Sequence, residues 1–297
     1  MTPSFYISFS YAILSLLIYL LVNLTIFRHP KNFNFSYFKL FQVSSLINVI
    51  AYLNSLVLFR YPPEACRGCF LSNLYEIGYF DGLDYYARTV EYFGYLQYAM
   101  NVTMTFNRLT AMTFPVSYEK IWKKIFLPCI VILLLLPIPF AFNNVEPASF
   151  VYISETDGFI LVKTSTRSDL MVTILFQSLC TVTNVTFSVA TVILLVRRRP
   201  KTSTRTDRVE KRLLFHSVAN FGVEIFGSLI VIFLCIAPMD LTFVIVVYSL
   251  VPYSADLLAF LSPYILIACS NELRRKLFVW TRKQMGTVVI PTTVNSI

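Results

Sequence analysis

Apolar runs of about twenty residues alternate along this chain with short segments that carry most of its charge. Residues 5–27 hold no charged side chain over 23 positions, and residues 40–59 repeat this over 20. A helix crossing the hydrocarbon core of a bilayer needs about 20 such positions. Further runs cover 88–109, 125–142, 170–196, 213–236 and 242–268. The pattern predicts an all-α membrane protein, a seven-transmembrane helix bundle over residues 1–268 with a tail over 269–297. The third run is the most polar, with Arg88 and Glu91 at its start and only 92–107 uncharged. Pro128, Pro137 and Pro139 fall in the fourth run and Pro252 and Pro263 in the seventh. Membrane helices tolerate prolines where neighbours re-satisfy the backbone. Between the fourth and fifth runs, FVYIS and FILV flank Asp157-Gly158, the signature of a β-hairpin lid. In the tail, Leu273, Leu277 and Trp280 share one face of NELRRKLFVWTRK, which reads as a short amphipathic helix on the inner membrane surface.

Charge orients these runs. With the N-terminus outside, 20 of the 25 basic residues fall in inner segments, the other five being Arg60, Arg67, Arg88, Lys163 and Arg167. Ten of the 16 acids then lie outside. Cytoplasmic segments carry the excess of Lys and Arg, so the N-terminus is expected outside and the tail inside. The outer segment after the second run is expected to start at Arg60 and to extend to Ala87. The first run has neither a basic start nor a small-residue cleavage site, so it reads as a helix and not as a secretory signal. The net charge of +9 sits between apolar runs and forms no continuous basic face. The implied partner is the lipid bilayer and not nucleic acid.

No catalytic arrangement stands out, and neither an enzyme nor a cofactor is expected. The two histidines, His29 and His216, lie in different segments without metal-ligand spacing, so no metal is expected. The seventh run contains no lysine, which excludes a retinal Schiff base there. Cys66 and Cys69 stand in a polar segment as CRGC. They form either a local disulfide or two free or separately bonded thiols, with Cys235 as an alternative partner.

Two acids interrupt the later runs. A charge in hydrocarbon costs about 2.5–3.5 kcal/mol on the insertion scale, so such residues face the bundle interior. Glu224 and Asp256 lie near the middle of consecutive runs, which predicts similar depth. Either one or both are protonated and hydrogen-bond across helices, or they form a switch, a cation site or a counter-ion for a ligand amine. On the third run, Arg88, Glu91, Tyr92, Tyr95 and Tyr98 share a face at about 100° per residue. That face is either an interfacial aromatic belt with a paired Arg and Glu, or the wall of an outward-facing cavity. The candidate ligand-binding residues are therefore Arg88, Glu91, Tyr92, Tyr95, Glu224 and Asp256.

The run NRLTAMTFPVSYEKIW, Asn107 to Trp122, resembles the exit of the third helix in nematode serpentine chemoreceptors. AYLNSLVLFRYP in the second run and SPYILIACSNELRR at the end of the seventh agree with it. The resemblance is to class gamma, with class V close beside it. It implies a seven-helix, G-protein-coupled-type chemosensory receptor in the plasma membrane of sensory neurons, with a small-molecule ligand and a heterotrimeric G protein as partners. Arg108 then matches the arginine of the rhodopsin-like D/E-R-Y motif, with Asn107 in place of the acid and Leu109 in place of the tyrosine. The coupling candidates are Arg108, Pro115, Lys120, Arg197, Arg198, Arg199 and Arg208. For the basic segment 197–212 an alternative remains, attraction to the anionic inner leaflet. A transporter or channel using Glu224 and Asp256 is the second functional class. An intramembrane enzyme is the third, and it lacks a catalytic dyad.

Overall fold

The computed structural model describes residues 3–197, apart from 34, 70, 71, 80, 144, 146, 155, 156 and 164–166, together with 222–223, 225–227, 229–230, 233 and 241–277. The fold is mostly helical. α1 spans Pro3–Arg28 and a short α2 spans Pro30–Phe33. α1 stops at Arg28 because Pro30 disfavours helical backbone at His29. α3 spans Ser36–Ser55 and continues through a π-helical turn, Leu56–Arg60, closed by the Tyr61 N–H donating to the Leu56 carbonyl at 2.9 Å. α4 is a single turn, Ser72–Glu76. α5 spans Leu83–Thr113, entered through Gly82 in the left-handed region (φ 89°). It begins earlier and ends later than the run 88–109, and it stops at Phe114, the residue before Pro115. α6 spans Tyr118–Leu135, and α7 restarts at Ile138–Ala141 just after Pro137.

β1 (Ala148–Ile153) and β2 (Gly158–Lys163) form an antiparallel hairpin with Ile153 opposite Gly158. α8 spans Arg167–Arg197. α9 spans Leu241–Cys269 without a break at Pro252 or Pro263. α10, Asn271–Leu277, turns off at 90° to the preceding helix. The sixth run lies largely outside the described residues, as do Glu224, Arg198, Arg199, Arg208, Cys235 and the tail beyond 277.

Among the described residues, four helical stretches are long and apolar enough to cross a membrane: Phe5–Arg28, Ser36–Arg60, Tyr118–Ala141 and Met171–Arg197. The bent pair Tyr253–Ala268 and Asn271–Leu277 makes a fifth. α5 is more polar because it is the axial helix, packed by α3, α6, α7 and α8, and polar residues in a membrane bundle turn inward. Side-chain contacts fix the directions. Tyr11 meets Asp256 and Ser15 meets Tyr264, so α1 and α9 run parallel. Gln97 meets Asn48 while Arg108 meets Tyr37, so α3 and α5 are antiparallel. Tyr92 meets Leu134 and Trp122 meets Thr110, so α6 opposes α5 as well. Tyr95 meets Thr173 and Phe106 packs on Phe187, so α8 runs with α5.

A second apolar cluster sits apart from the bundle core and holds the hairpin. It comprises Leu58, Ala65, Tyr75, Leu83, Ala87, Ala148, Phe150 and Phe159. Tyr75 lies between Phe150 and Phe159, with ring centroids 4.9 and 5.9 Å away, and donates to the Val57 carbonyl at 3.0 Å. Burial pushes its phenol up to about 12, so it remains a donor at neutral pH. The hairpin is further tied by the Phe150 N–H to the Gly78 carbonyl (2.6 Å) and by the Ala148 N–H to Asp84 Oδ1 (2.7 Å). A Cβ at Gly158 would lie 2.2 Å from the Pro63 carbonyl oxygen. Only glycine lets β2 approach the Pro62–Glu64 turn this closely.

Candidate functional site

At the hairpin end of the bundle, Asp256 of α9 faces Arg60. The sequence pattern places Arg60 at the start of a solvent-facing segment. The structure corrects this: the π-helical turn carries it back into the bundle, and its side chain is 7% exposed against 5% for Asp256. The guanidinium donates through both arms to the carboxylate, NH1 to Oδ2 at 2.7 Å and NH2 to Oδ1 at 2.5 Å. Tyr11 OH also donates to Oδ2. Arg60 further donates to Ser8 Oγ (3.2 Å) and Ser55 Oγ (3.4 Å) and lies 5.1 Å from the centre of the Tyr52 ring. A planar fork on a carboxylate is the strong geometry for such a pair. The pair joins α1, α3 and α9.

Below it the polar contacts continue toward the middle of the bundle. Ser15 Oγ and Tyr264 OH are 2.9 Å apart. Tyr19 OH donates to the Ala259 carbonyl and accepts from Asn48 Nδ2 at 2.9 Å. Asn48 Nδ2 also reaches the Ala259 carbonyl at 3.1 Å, and Asn48 Oδ1 accepts from Gln97 Nε2 at 3.0 Å. Tyr19, Asn48 and Gln97 are all buried. Four helices thus meet through one chain of polar groups. Its neutral members were missed in the sequence because Tyr19 and Asn48 sit inside long apolar runs. The signal available there was the cost of the Asp256 charge, which requires a partner.

The α5 candidates go elsewhere. Arg88, only 2% exposed, pairs with Glu91 through NH1 and Oε2 at 2.9 Å. Tyr92 OH donates to the Leu134 carbonyl at 3.0 Å, and Tyr95 OH lies 2.7 Å from Thr173 Oγ1. The Tyr98 hydroxyl fills the space where a side chain at Gly227 would begin. Positions three apart rotate by about 60° around a helix. The three tyrosines therefore address three successive neighbours, α6, α8 and the segment around Gly227. The structure does not bring Tyr92 and Tyr95 to Asp256.

At the opposite end the conspicuous sequence run proves to be one hydrogen-bonded unit. Tyr118 OH donates to Asn107 Oδ1 (2.9 Å), and Trp122 Nε1 donates to Thr110 Oγ1 (2.7 Å). Glu119 accepts from the Ser36 hydroxyl (3.0 Å) and N–H (3.3 Å). Arg108 donates to Tyr37 OH at 3.0 Å and lies 5.3 Å from the centre of its ring. Asn107, in the place of an acid, thereby anchors the start of α6. The turn between the helices exposes Phe114, Pro115 and Val116, with Lys120 beside it. Arg197 is exposed at the end of α8. At the hairpin end, Cys66 and Cys69 are joined in a disulfide with Cα atoms 5.3 Å apart, inside the usual range of about 4.4–6.8 Å.

A bundle of long apolar helices, stitched through its interior by a buried ion pair and neutral polar groups, defines a multi-pass membrane protein. The chain belongs to the Srg family of chemoreceptors, whose model matches residues 5–277. It is 24% identical over 282 residues to serpentine receptor class gamma-47 of Caenorhabditis elegans, covering 92% of this chain and 90% of that one. To serpentine receptor class gamma-31 of the same nematode it is 25% identical over 286 residues, covering 91% and 89%. The likeness to class gamma seen in Asn107–Trp122 therefore extends along nearly the whole chain, and a chemosensory receptor role follows from the family.

Proposed function

We propose that this chain is a seven-helix receptor of the plasma membrane of sensory neurons, with its N-terminus outside. It binds an extracellular small molecule at the hairpin end and signals through a heterotrimeric G protein at the Arg108 end. Helix direction supports the span count. α8 and α9 run the same way, and the apolar run 213–236 between them has the length of a returning span. The charge asymmetry supports the orientation.

The observation that carries the mechanism is the buried Arg60–Asp256 pair. It lies at the proposed ligand end, ties three helices together, and stands on the same α9 as the Ala259 carbonyl that Tyr19 and Asn48 hold. A ligand that draws on either charge weakens this clasp and frees α9 relative to α1 and α3. α5 carries the change to Arg108. Arg88, Glu91, Tyr92, Tyr95 and Glu224 complete the ligand-end candidates. Pro115, Lys120 and the arginines at 197, 198, 199 and 208 complete the coupling face. Ligand-dependent nucleotide exchange on a G protein, measured in cells expressing the chain, tests the receptor reading. Uptake or current without exchange in the same cells would replace it by a transporter or channel. Epitope tags at both ends, stained with and without permeabilisation, test the orientation. A C-terminal tag that stains without permeabilisation overturns it.

A further inference from the structure

α6 and α8 both pack on α5, and between them the wall of the bundle holds a pocket of about 490 Å³. Ala99, Leu133 and Cys180, all buried, form its floor. Ile132, Leu136 and Leu179 form its rim and are 63%, 45% and 65% exposed. On a membrane-spanning wall that exposure is to hydrocarbon, so the pocket opens sideways into the bilayer. Its volume lies inside the usual range of small-molecule sites, about 300–1,000 Å³. No charged side chain is among its described lining residues.

The helix registers bring three polar groups of this lining to one depth. Across α5 and α6, Trp122 meets Thr110 and Tyr92 meets Leu134; across α5 and α8, Tyr95 meets Thr173 and Phe106 packs on Phe187. Between these contacts Thr103, Cys129 and Thr183 fall level with one another, and all three line the pocket. Cys129 and Thr183 stand near the middle of the spans Tyr118–Ala141 and Met171–Arg197. From this level the pocket runs toward the hairpin end as far as Leu136, seven residues and about 10 Å beyond Cys129. Ile125 extends it about one turn the other way. The Thr103 hydroxyl donates to the Ala99 carbonyl (3.0 Å) and the Thr183 hydroxyl to the Leu179 carbonyl (2.8 Å). Cys129 is hydrogen-bonded to Thr103, whose proton is already committed, so the thiol is the donor. With these donors spent, the polar level offers oxygen lone pairs.

That offer selects the occupant. An acyl chain reaching in from either leaflet brings only its methyl end to this depth. A carboxylate or an ammonium brings a charge to the middle of the bilayer, where it is costly. A ketone or an ester carries acceptors alone and finds no donor. A neutral molecule with a hydroxyl gains a hydrogen bond that hydrocarbon cannot supply. The geometry points to a second binding site, for a neutral alcohol that enters from the bilayer, sets its hydroxyl between Thr103 and Thr183 and lays its apolar body along the stretch from Cys129 to Leu136. The site is distinct from the Arg60–Asp256 clasp and stands whether or not the clasp answers an extracellular ligand. At mid-span, it is also independent of which end of the chain lies outside.

The test uses the full chain in phosphatidylcholine nanodiscs, irradiated with octan-1-ol that carries a diazirine on its chain. Labelled residues are mapped by mass spectrometry, with unlabelled octan-1-ol, octane and octan-2-one as competitors at equal membrane concentration. Label is expected on the two walls, at Ile132, Leu136 and Leu179. Octan-1-ol should reduce it about fivefold where octane and octan-2-one change it less than about twofold. Thr183→Val keeps the shape of the side chain, removes the hydroxyl and should lower labelling about fivefold. Leu17→Trp, on the lipid-facing side of α1, should leave it unchanged. Competition in the unsubstituted chain decides the matter if Thr183→Val folds poorly. Octane competing as well as octan-1-ol overturns the proposal and leaves a groove that any hydrocarbon chain fills. Octan-2-one competing as well also overturns it, because the hydroxyl proton is then not what is read. Full labelling of a folded Thr183→Val chain overturns it as well.

Discussion

Two arginines lie against tyrosine rings of α3 at opposite ends of the bundle. Arg60 is 5.1 Å from the ring centre of Tyr52 and Arg108 is 5.3 Å from that of Tyr37. Both are nearly out of solvent. Such a seat contributes about 0.5–2 kcal/mol depending on desolvation. What each guanidinium then grips differs. Arg60 holds the Asp256 carboxylate with two arms, whereas Arg108 donates to the neutral hydroxyl of Tyr37. The first contact closes three helices with opposite charges and is costly to open. The described acceptor of Arg108 is a neutral oxygen, so this contact is charge-to-dipole. α3 thus seats an ion-paired arginine at the proposed ligand end and an arginine with a neutral described acceptor at the proposed coupling end.

The largest effect is expected at the clasp. Asp256→Ala leaves Arg60 buried without its carboxylate, and breaking a buried pair on one side costs about 3–5 kcal/mol. Surface expression and the melting temperature in detergent should both fall sharply. Replacing both partners by apolar residues, Arg60→Met with Asp256→Leu, should restore folding, because no uncompensated charge remains. The restored receptor should show altered basal nucleotide exchange, since the clasp is gone. If Asp256→Ala is as stable as Arg108→Ala, the contrast between the two arginines is lost.

A second break separates the hairpin from the bundle. Gly158→Ala puts a methyl 2.2 Å from the Pro63 carbonyl oxygen, and overpacking of this kind costs about 1–3 kcal/mol. The loss should be local, because the hairpin cluster is distinct from the bundle core. Hydrogen exchange is expected to quicken at Phe150, whose N–H is held by Gly78, with little change around Asn48. Uniform quickening in both places would mean that the hairpin is part of the bundle's folding unit. Replacing Cys66 and Cys69 by Ser should shift the hairpin less than Gly158→Ala does, because a disulfide closing a short loop removes little chain entropy. Mass mapping of the oxidised chain checks the pairing itself.

The two ends differ equally in how far the sequence reveals them. At the Arg108 end the helix–turn–helix joint was legible because Pro115 marks the break, and the partners across it, Asn107 with Tyr118 and Thr110 with Trp122, are close in sequence. The hairpin was legible from Asp157-Gly158, although Gly158 serves the approach to Pro63 as much as the turn. The clasp was half legible. A lone Asp in a membrane helix announces a buried charge, but periodicity does not say which helix answers it. Equal depth along consecutive runs pointed to Glu224. The described partners of Asp256 are Arg60 and Tyr11, and Glu224 lies outside the described residues. Arg60 was hidden because a helix pattern that ends at Phe59 assigns the next residue to solvent, and a π-helical turn leaves no trace in hydrophobic spacing. The tyrosines of α5 were found but grouped on one face, whereas a 60° drift between them sends each to a different neighbour.

The smallest structural effect is expected at the coupling end, with the largest functional contrast. Tyr118→Phe removes one neutral hydrogen bond, the one from the Tyr118 hydroxyl to Asn107 Oδ1, and such a bond contributes about 0.5–1.5 kcal/mol net. The ring stays in place, so expression and melting temperature should shift slightly. Asn107 then loses this anchor beside Arg108, whose contact with Tyr37 is unchanged. If Arg108 belongs to the coupling face, loosening its neighbour should raise basal nucleotide exchange, while Arg108→Ala should abolish exchange at unchanged surface expression. Tyr37→Phe removes the hydroxyl that Arg108 grips and should move exchange in the same direction as Tyr118→Phe. Both hydroxyl deletions leaving exchange untouched, together with full signalling by Arg108→Ala, would make this end a structural joint only. The contrast with the clasp would then be one of packing and not of signalling.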